Sequence, residues 1–445
     1  MSWRFRIAQP ALVGLGVFAL VGCEALVPGG GEEEQSGPDP DRSVSTDLPD
    51  EEVTVRLAFT DGPEMVEDLA DAFEEEHPQV TIEPEHTEFS DYEANLKLMM
   101  TSDSPPDIAQ YNVQVKDLVG TGHILDLDPY QEAYDWQETF PDNTLEQMTM
   151  EETGQMHGTG YLYGVPAGMS LTGIYYNAEL AEEAGIEVPP ADLDEFEEAL
   201  EQASEAGHIP LHVGALDSAG IHLWTELLIS MMSVDEYRDW VNGEPDTALT
   251  SDAAVEATDR MVEWAEQDYI NDSANGLGQA DSTAEFASGD SVFLINGNWA
   301  TTQVEEELGE DGGFFPLPTE DGEQTPTAAG SSVAYNVSSE TEHPDVAAAF
   351  LDFLGTPEAA EIVSAGGFEP PNADVAPQPS GVAGDVHDGY SEVVATDGLT
   401  PFPDSAAPAA YDEMVSGVQG LLSEDIEPAE YLEDVQDVRD DYQAE

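Results

Sequence analysis

Positive charge is what this sequence has least of. Nine Lys and Arg stand against 96 Asp and Glu in 445 residues, a net charge of −87, and only Lys97 and Lys116 are lysines. So few cations cannot form a basic stripe that displaces counterions from nucleic acid, nor a patch that binds an anionic bilayer. Cysteine occurs once, at Cys23, which excludes a disulfide framework. The motifs G-x-x-x-x-G-K-S/T, H-E-x-x-H and G-x-S-x-G are missing; Gly168-Met-Ser-Leu-Thr172 lacks the closing glycine of the last. His208 and His212 flank Pro210 and so share no helix face, and His222 falls at no zinc-ligand spacing. The histidines read as surface or packing residues, and no metal or cofactor is expected. Acids are so abundant that no chosen carboxylate pair marks a glycosidase.

What is present is ordinary for a globular protein: 40% hydrophobic and 8% aromatic residues, enough for two or three domains. The acids are spread over nearly every predicted helix. At molar ionic strength the Debye length shrinks to about 3 Å, so such a coat suits concentrated salt. The chain reads as a halophilic, acidic protein.

Residues 1–22 read as a signal peptide. Arg4 and Arg6 precede the apolar run Ala11–Leu20, too short for a permanent span. The run closes on Leu20-Val-Gly-Cys23, which looks like a bacterial lipobox with Cys23 lipidated. Residues 23–50, rich in Gly, Pro and Glu, read as anchor and extended linker. The working part is then extracytoplasmic and lipid-anchored to the cell membrane.

Val53–Phe59 alternates as a strand, Thr60-Asp-Gly-Pro63 breaks it, and Val66, Leu69, Ala70 and Phe73 recur at helical spacing before a strand at Val80–Ile82. This βαβ order predicts a parallel sheet. A third strand is expected over Pro106–Tyr111, and others over Leu171–Asn177, Ser291–Ile295 and Val333–Val337. Tyr175 and Tyr176 fall on opposite faces, so one belongs to the core. Asp192 with Glu195 caps a helix, and further helices are expected over 252–266, 344–354 and 411–422. Ligands of α/β sheets lie beyond the strands' carboxyl ends. Those places here are Thr60-Asp61, Tyr111-Asn112 and Asn298-Trp299. Flat rings and amides or carboxylates are the groups that suit a sugar's C–H faces and hydroxyls.

Gly173-Ile-Tyr-Tyr-Asn-Ala-Glu-Leu-Ala-Glu-Glu-Ala-Gly-Ile186, Pro105-Pro-Asp-Ile108, Asn296-Gly-Asn-Trp299 and Pro344–Leu354 with Thr356-Pro-Glu-Ala359 appear in order. Over about 55–440 the chain resembles the extracellular solute-binding proteins of sugar ABC importers, the maltodextrin-binding-like group. The resemblance implies an α/β, two-lobed periplasmic-binding-protein-like fold with a ligand cleft between the lobes. Residues 51–170 with 325–370 would form lobe 1, and 171–324 with 371–445 lobe 2. Carried over by position, Thr60, Asp61, Tyr111, Gln114, Ser170, Trp224, Asn298, Trp299, Ser331 and Tyr411 are the expected ligand-binding residues. Ser170 stands where maltodextrin binders have a carboxylate. The implied protein is no enzyme but a monomeric receptor that closes on a sugar and hands it to permease subunits. Two other readings stay open on the residues: a secreted carbohydrate-active enzyme, and the same fold holding a non-sugar solute such as a polyamine.

Overall fold

The computed structural model describes residues 43–110, 115–140, 144–145, 147–154, 159–244, 247–320, 322, 325–371 and 378–444. Cys23, Tyr111 and Gln114 lie outside them.

The βαβ start forms as its pattern dictates. β1 (Val53–Phe59) and β2 (Val80–His86) run parallel, with Val53 opposite Val80 and Phe59 opposite His86. The helix Pro63–Glu76 between them buries Met65, Val66, Leu69, Ala70 and Phe73. Gly62 precedes it at φ 60°, a left-handed turn that a β-carbon disfavours, and Pro63 supplies the first turn. β3 (Ile108–Gln110) lies parallel to β1 on its other side.

Small antiparallel strands β4 (Thr149–Met150) and β5 (Tyr161–Leu162) pair with each other. β6 (Val165–Asn177) begins six residues before the expected Leu171, and its two halves serve different partners. Residues Val165–Leu171 pair with β10 (Thr327–Val337), whereas Thr172–Tyr176 pair with β8 (Ser291–Gly297). β7 (Ile209–His212) adds parallel to β8, β9 (Gly312–Phe315) pairs antiparallel to β6, and β11 (Leu399–Thr400) pairs parallel to the start of β10. The main order is β2-β1-β3-β10-β6-β8-β7. The parallel expectation holds for β1, β2 and β3; β10 and β6 are inserted antiparallel.

The core divides on either side of those two strands. One cluster gathers residues from Val53 to Ala167 and from Val333 to Phe368. The other gathers residues from Ile174 to Leu317 and from Ala406 to Val435. Three stretches pass between them side by side. Ser170 is opposite Gly330, and Met169 bridges Glu369, its N–H donating to that carbonyl over 2.6 Å.

In the second cluster, Asp192 caps Leu193–Ala206 by accepting the Glu195 N–H at 2.8 Å, and Gly207 at φ 88° ends it. Tyr175 is fully buried and Tyr176 only partly so, as their alternation requires. The helix Ala219–Met231 is buried on every side through Ser230, so it is a core helix rather than a surface one. Among the described residues no helix is long and apolar enough to cross a membrane, and no His/Cys/Asp/Glu group could hold a metal ion.

Candidate functional site

The end of β1 supplies a polar corner. The side chain of Gln110, at the end of β3, accepts the N–H groups of Thr60 at 2.9 Å and Asp61 at 3.1 Å, and donates to Asp61 Oδ2 at 2.8 Å. His86 Nε2 sits 3.0 Å from the Thr60 carbonyl, and Tyr92 donates its hydroxyl to the Gln110 carbonyl at 2.8 Å. Asp61 keeps part of its surface accessible, yet lost hydration pushes its pKa up to about 6, against the pull of Gln110 and His86. Thr60 Oγ1 is buried without a hydrogen-bond partner.

The end of β8 supplies an aromatic corner. The chain turns at Asn298–Ala300 before the helix Thr301–Leu308. Trp299 is half-buried, and its ring packs against apolar residues of the first core as well as a smaller cluster around Leu171, Leu294 and Phe314. His222 lies 5.3 Å from it, ring centre to ring centre, and Phe402 lies 6.4 Å away. His222 is 7% exposed and its Nδ1 has no partner, nor has Trp299 Nε1. Burial alone lowers the His222 pKa to about 3, so the imidazole is neutral at physiological pH. The two corners flank one segment. A β-carbon on Gly62 would lie 3.2 Å from Phe368, and one on Gly367 would lie 3.2 Å from the Asn298 carbonyl.

The expected residues separate into several places. Thr60, Asp61 and Trp299 belong to these corners. Asn298 is fully buried, its amide accepting the Leu171 N–H at 3.2 Å and donating to the Met169 carbonyl at 3.1 Å. Ser170 is likewise fully buried, opposite Gly330, and Ser331 lies on β10 where its register with β6 shifts. These three stand at the passage between the cores. Tyr411, in the first turn of Ala410–Leu422, meets Phe89 edge-on at 5.9 Å. Trp224 is fully buried in the second core, with its Nε1 donating to Thr258 at 3.0 Å and Tyr431 5.0 Å away. The structure therefore brings Trp224 to no corner of the site.

Sequence reasoning missed Gln110, which meets Asp61 only in the fold, and His222 and Phe402, which meet Trp299 only there; none of them carries a motif. It also missed Glu226, whose signal was visible as a lone acid in an apolar helix. Glu226 is fully buried; Thr172, Thr327 and the Ala328 N–H all reach its Oε1, while Oε2 has no partner. Burial pushes its pKa up to about 8, with those three donors opposing.

A family model described as bacterial extracellular solute-binding protein matches residues 59–361. The xylose/arabinose-binding protein XacG of Haloferax volcanii is 26% identical over 259 residues, or 56% of this chain and 53% of that protein, about half its length. The multiple sugar-binding protein of Streptococcus mutans is 21% identical over 374 residues, 81% of each chain. Among solved structures, a chitin oligosaccharide binding protein superposes with a TM-score of 0.74 at 22% identity, covering 88% of this chain and all of its own. At that identity the likeness carries the fold, a mixed α/β periplasmic-binding-protein fold.

Proposed function

The chain belongs to the bacterial extracellular solute-binding proteins, and from that premise we propose that it captures a neutral sugar or oligosaccharide for an ABC importer. The observation that carries the reading is Trp299, a partly open indole packed against apolar residues of the first core and set beside His222 and Phe402. A ring of that kind covers a sugar's C–H face, while Asp61 and the Thr60 hydroxyl supply acceptor and donor capacity for its hydroxyls. The neutral imidazole and the strongly acidic chain argue against an anionic ligand. Names of the relatives point the same way: two are called binders of xylose/arabinose and of multiple sugars.

In this reading the two cores are two lobes, residues 51–170 with 325–370 and residues 171–324 with 371–445. The passage at Met169–Leu171, Ala329–Gly330 and Glu369 is their hinge, and Tyr411 borders the cleft. Ligand bound to both lobes favours the closed state, and no bond in it is made or broken. Lipidation at Cys23 would hold the receptor at the membrane beside its permease, and the acidic coat would keep it soluble in brine. Calorimetry in high salt with xylose, arabinose, glucose, maltose, chitobiose, glucuronate and putrescine tests the ligand. One-to-one binding of a neutral sugar without product is expected. Binding of putrescine or glucuronate alone, or turnover of a glycan, would overturn it.

A further inference from the structure

Six cations fall among the described residues, and five hold partners on their own side of the passage. Arg56 pairs with Glu85 at 2.9 Å, Lys97 with Asp117 at 2.8 Å, Arg238 with Asp397 at 3.2 Å, Arg260 with Glu197 at 3.5 Å, and Arg439 with Asp440 at 3.3 Å. Lys116 is the exception. It sits in the helix Val115–Gly120, whose residues Val115 and Leu118 pack with Tyr92 and Leu96 from the first half of the chain. Its ammonium, however, donates to the Ser405 carbonyl and lies 5.9 Å from the centre of the Tyr442 ring. The Asp404 carboxylate is its charged neighbour. Ser405 belongs to the turn Pro403–Ala406 and Tyr442 to the helix Pro428–Ala444, both packed on the second core.

Lys116 is only 3% exposed, an unusual position for a strongly hydrated ammonium. Its surroundings are complete only while the opposite half is seated: a carbonyl, an aromatic face and a carboxylate all come from there. A second contact crosses with it. Phe89, on the helix Phe89–Met100, meets Tyr411 on the helix that follows the Ser405 turn.

We propose that Lys116 is an interlobe clasp, a positioning residue that touches no ligand but sets affinity by holding the two halves closed through Ser405, Asp404 and Tyr442. The inference rests on the two-lobed closing receptor of the preceding section. Separation of the lobes strips the ammonium of its three partners and returns it to water, so the clasp acts on the closed state alone. Removing it leaves ligand contacts intact and raises the open population, which appears as faster ligand release.

The test uses the full chain carrying Cys23→Ser, with spin labels on Leu98→Cys and Leu216→Cys, exposed positions on the two halves. Without any sugar, Lys116→Gln is expected to lengthen and broaden the label distance, while Lys116→Arg keeps the parent distribution. With the sugar found by calorimetry, Lys116→Gln is expected to weaken binding about five- to fifty-fold, mainly in the dissociation rate. If Lys116→Gln fails to fold, Tyr442→Leu takes its place and is expected to shift the distances in the same direction. An unchanged distance distribution and an unchanged dissociation rate in the folded variant would overturn the clasp. The sugar-free distances answer independently of the ligand, so failure to find a binding sugar leaves the clasp decided on its own terms.

Discussion

Gly297 lies directly beneath the indole of Trp299: a β-carbon there would sit 2.2 Å from Cη2 and 2.3 Å from Cζ3 of that ring. No left-handed backbone is involved, since Gly297 has φ −102°. The glycine is required by space alone, and the space is what lets the ring lie flat.

Gly297→Ala therefore displaces the indole without straining the chain. Affinity for the identified sugar is expected to fall by about 1–3 kcal/mol, close to the loss from Trp299→Ala, with circular dichroism unchanged in both. Parent-like calorimetric affinity in Trp299→Ala would remove the ring from the site.

Glu226 makes stability pH-dependent. Its folded pKa is about 8 and the ordinary value is 4.5, so the folded protein holds this proton more tightly than the unfolded chain. That proton's contribution is complete below about pH 4.5 and is lost as pH rises towards 8. Asp61 and Asp404, both raised to about 6 by burial, act in the same direction. Lys116, lowered to about 8, acts oppositely only above that pH. Chemical denaturation at constant high salt is expected to show lower stability at pH 8 than at pH 5. Glu226→Gln should recover roughly 3–5 kcal/mol of the loss, because its amide never ionises. A parent and variant that lose stability in parallel would place the dependence elsewhere.

Salt should matter as strongly. Six cations stand among the described residues and each is engaged within the protein, so they leave the negative charge of the acidic coat largely uncompensated. The melting temperature is expected to climb between about 0.1 M and 1 M KCl, as the screening length shortens from ~10 to ~3 Å. A flat melting temperature over that range would dispose of the repulsion argument.

The sequence was legible where burial follows a local period. Val53–Phe59, the helix at 252–266 and the helix that Asp192 caps are all found where the pattern puts them. It was illegible at the passage between cores. Thr327-Ala-Ala-Gly-Ser-Ser332 and Val165-Pro-Ala-Gly168 have no alternation and, after Thr327 and Val165, no β-branched residue, and they are strands because each is paired by a distant neighbour. The site followed the same division. Thr60, Asp61 and Trp299 were visible at strand ends. His222 and Phe402 were not, because residues 77 and 103 positions from Trp299 in the chain become its neighbours only through packing. Trp224 could have been assigned to the core from its surroundings, since Ala219–Met231 is apolar nearly all round.

Cys23 offers a separate check on placement. Cys23→Ser is expected to release the protein from membranes or leave its leader uncleaved, because acyl chains contribute about 0.8 kcal/mol per buried methylene. Mass spectrometry of membrane-extracted parent protein should find the thiol acylated; an unmodified Cys23 there would sink the lipid anchor.

Met169, Ser170, Gly330 and Glu369 join the two cores as adjacent leaves fastened to one another by backbone hydrogen bonds. Such a laminate resists stretching along its strands and slippage between them, and it yields most readily out of its own plane. It behaves as a leaf spring with one compliant direction. Tightening or loosening any single leaf therefore changes the stiffness of the whole joint rather than steering it along a new path. In the proposed closing motion, sequence variation there would tune how fast the halves open and close, leaving the direction of travel fixed.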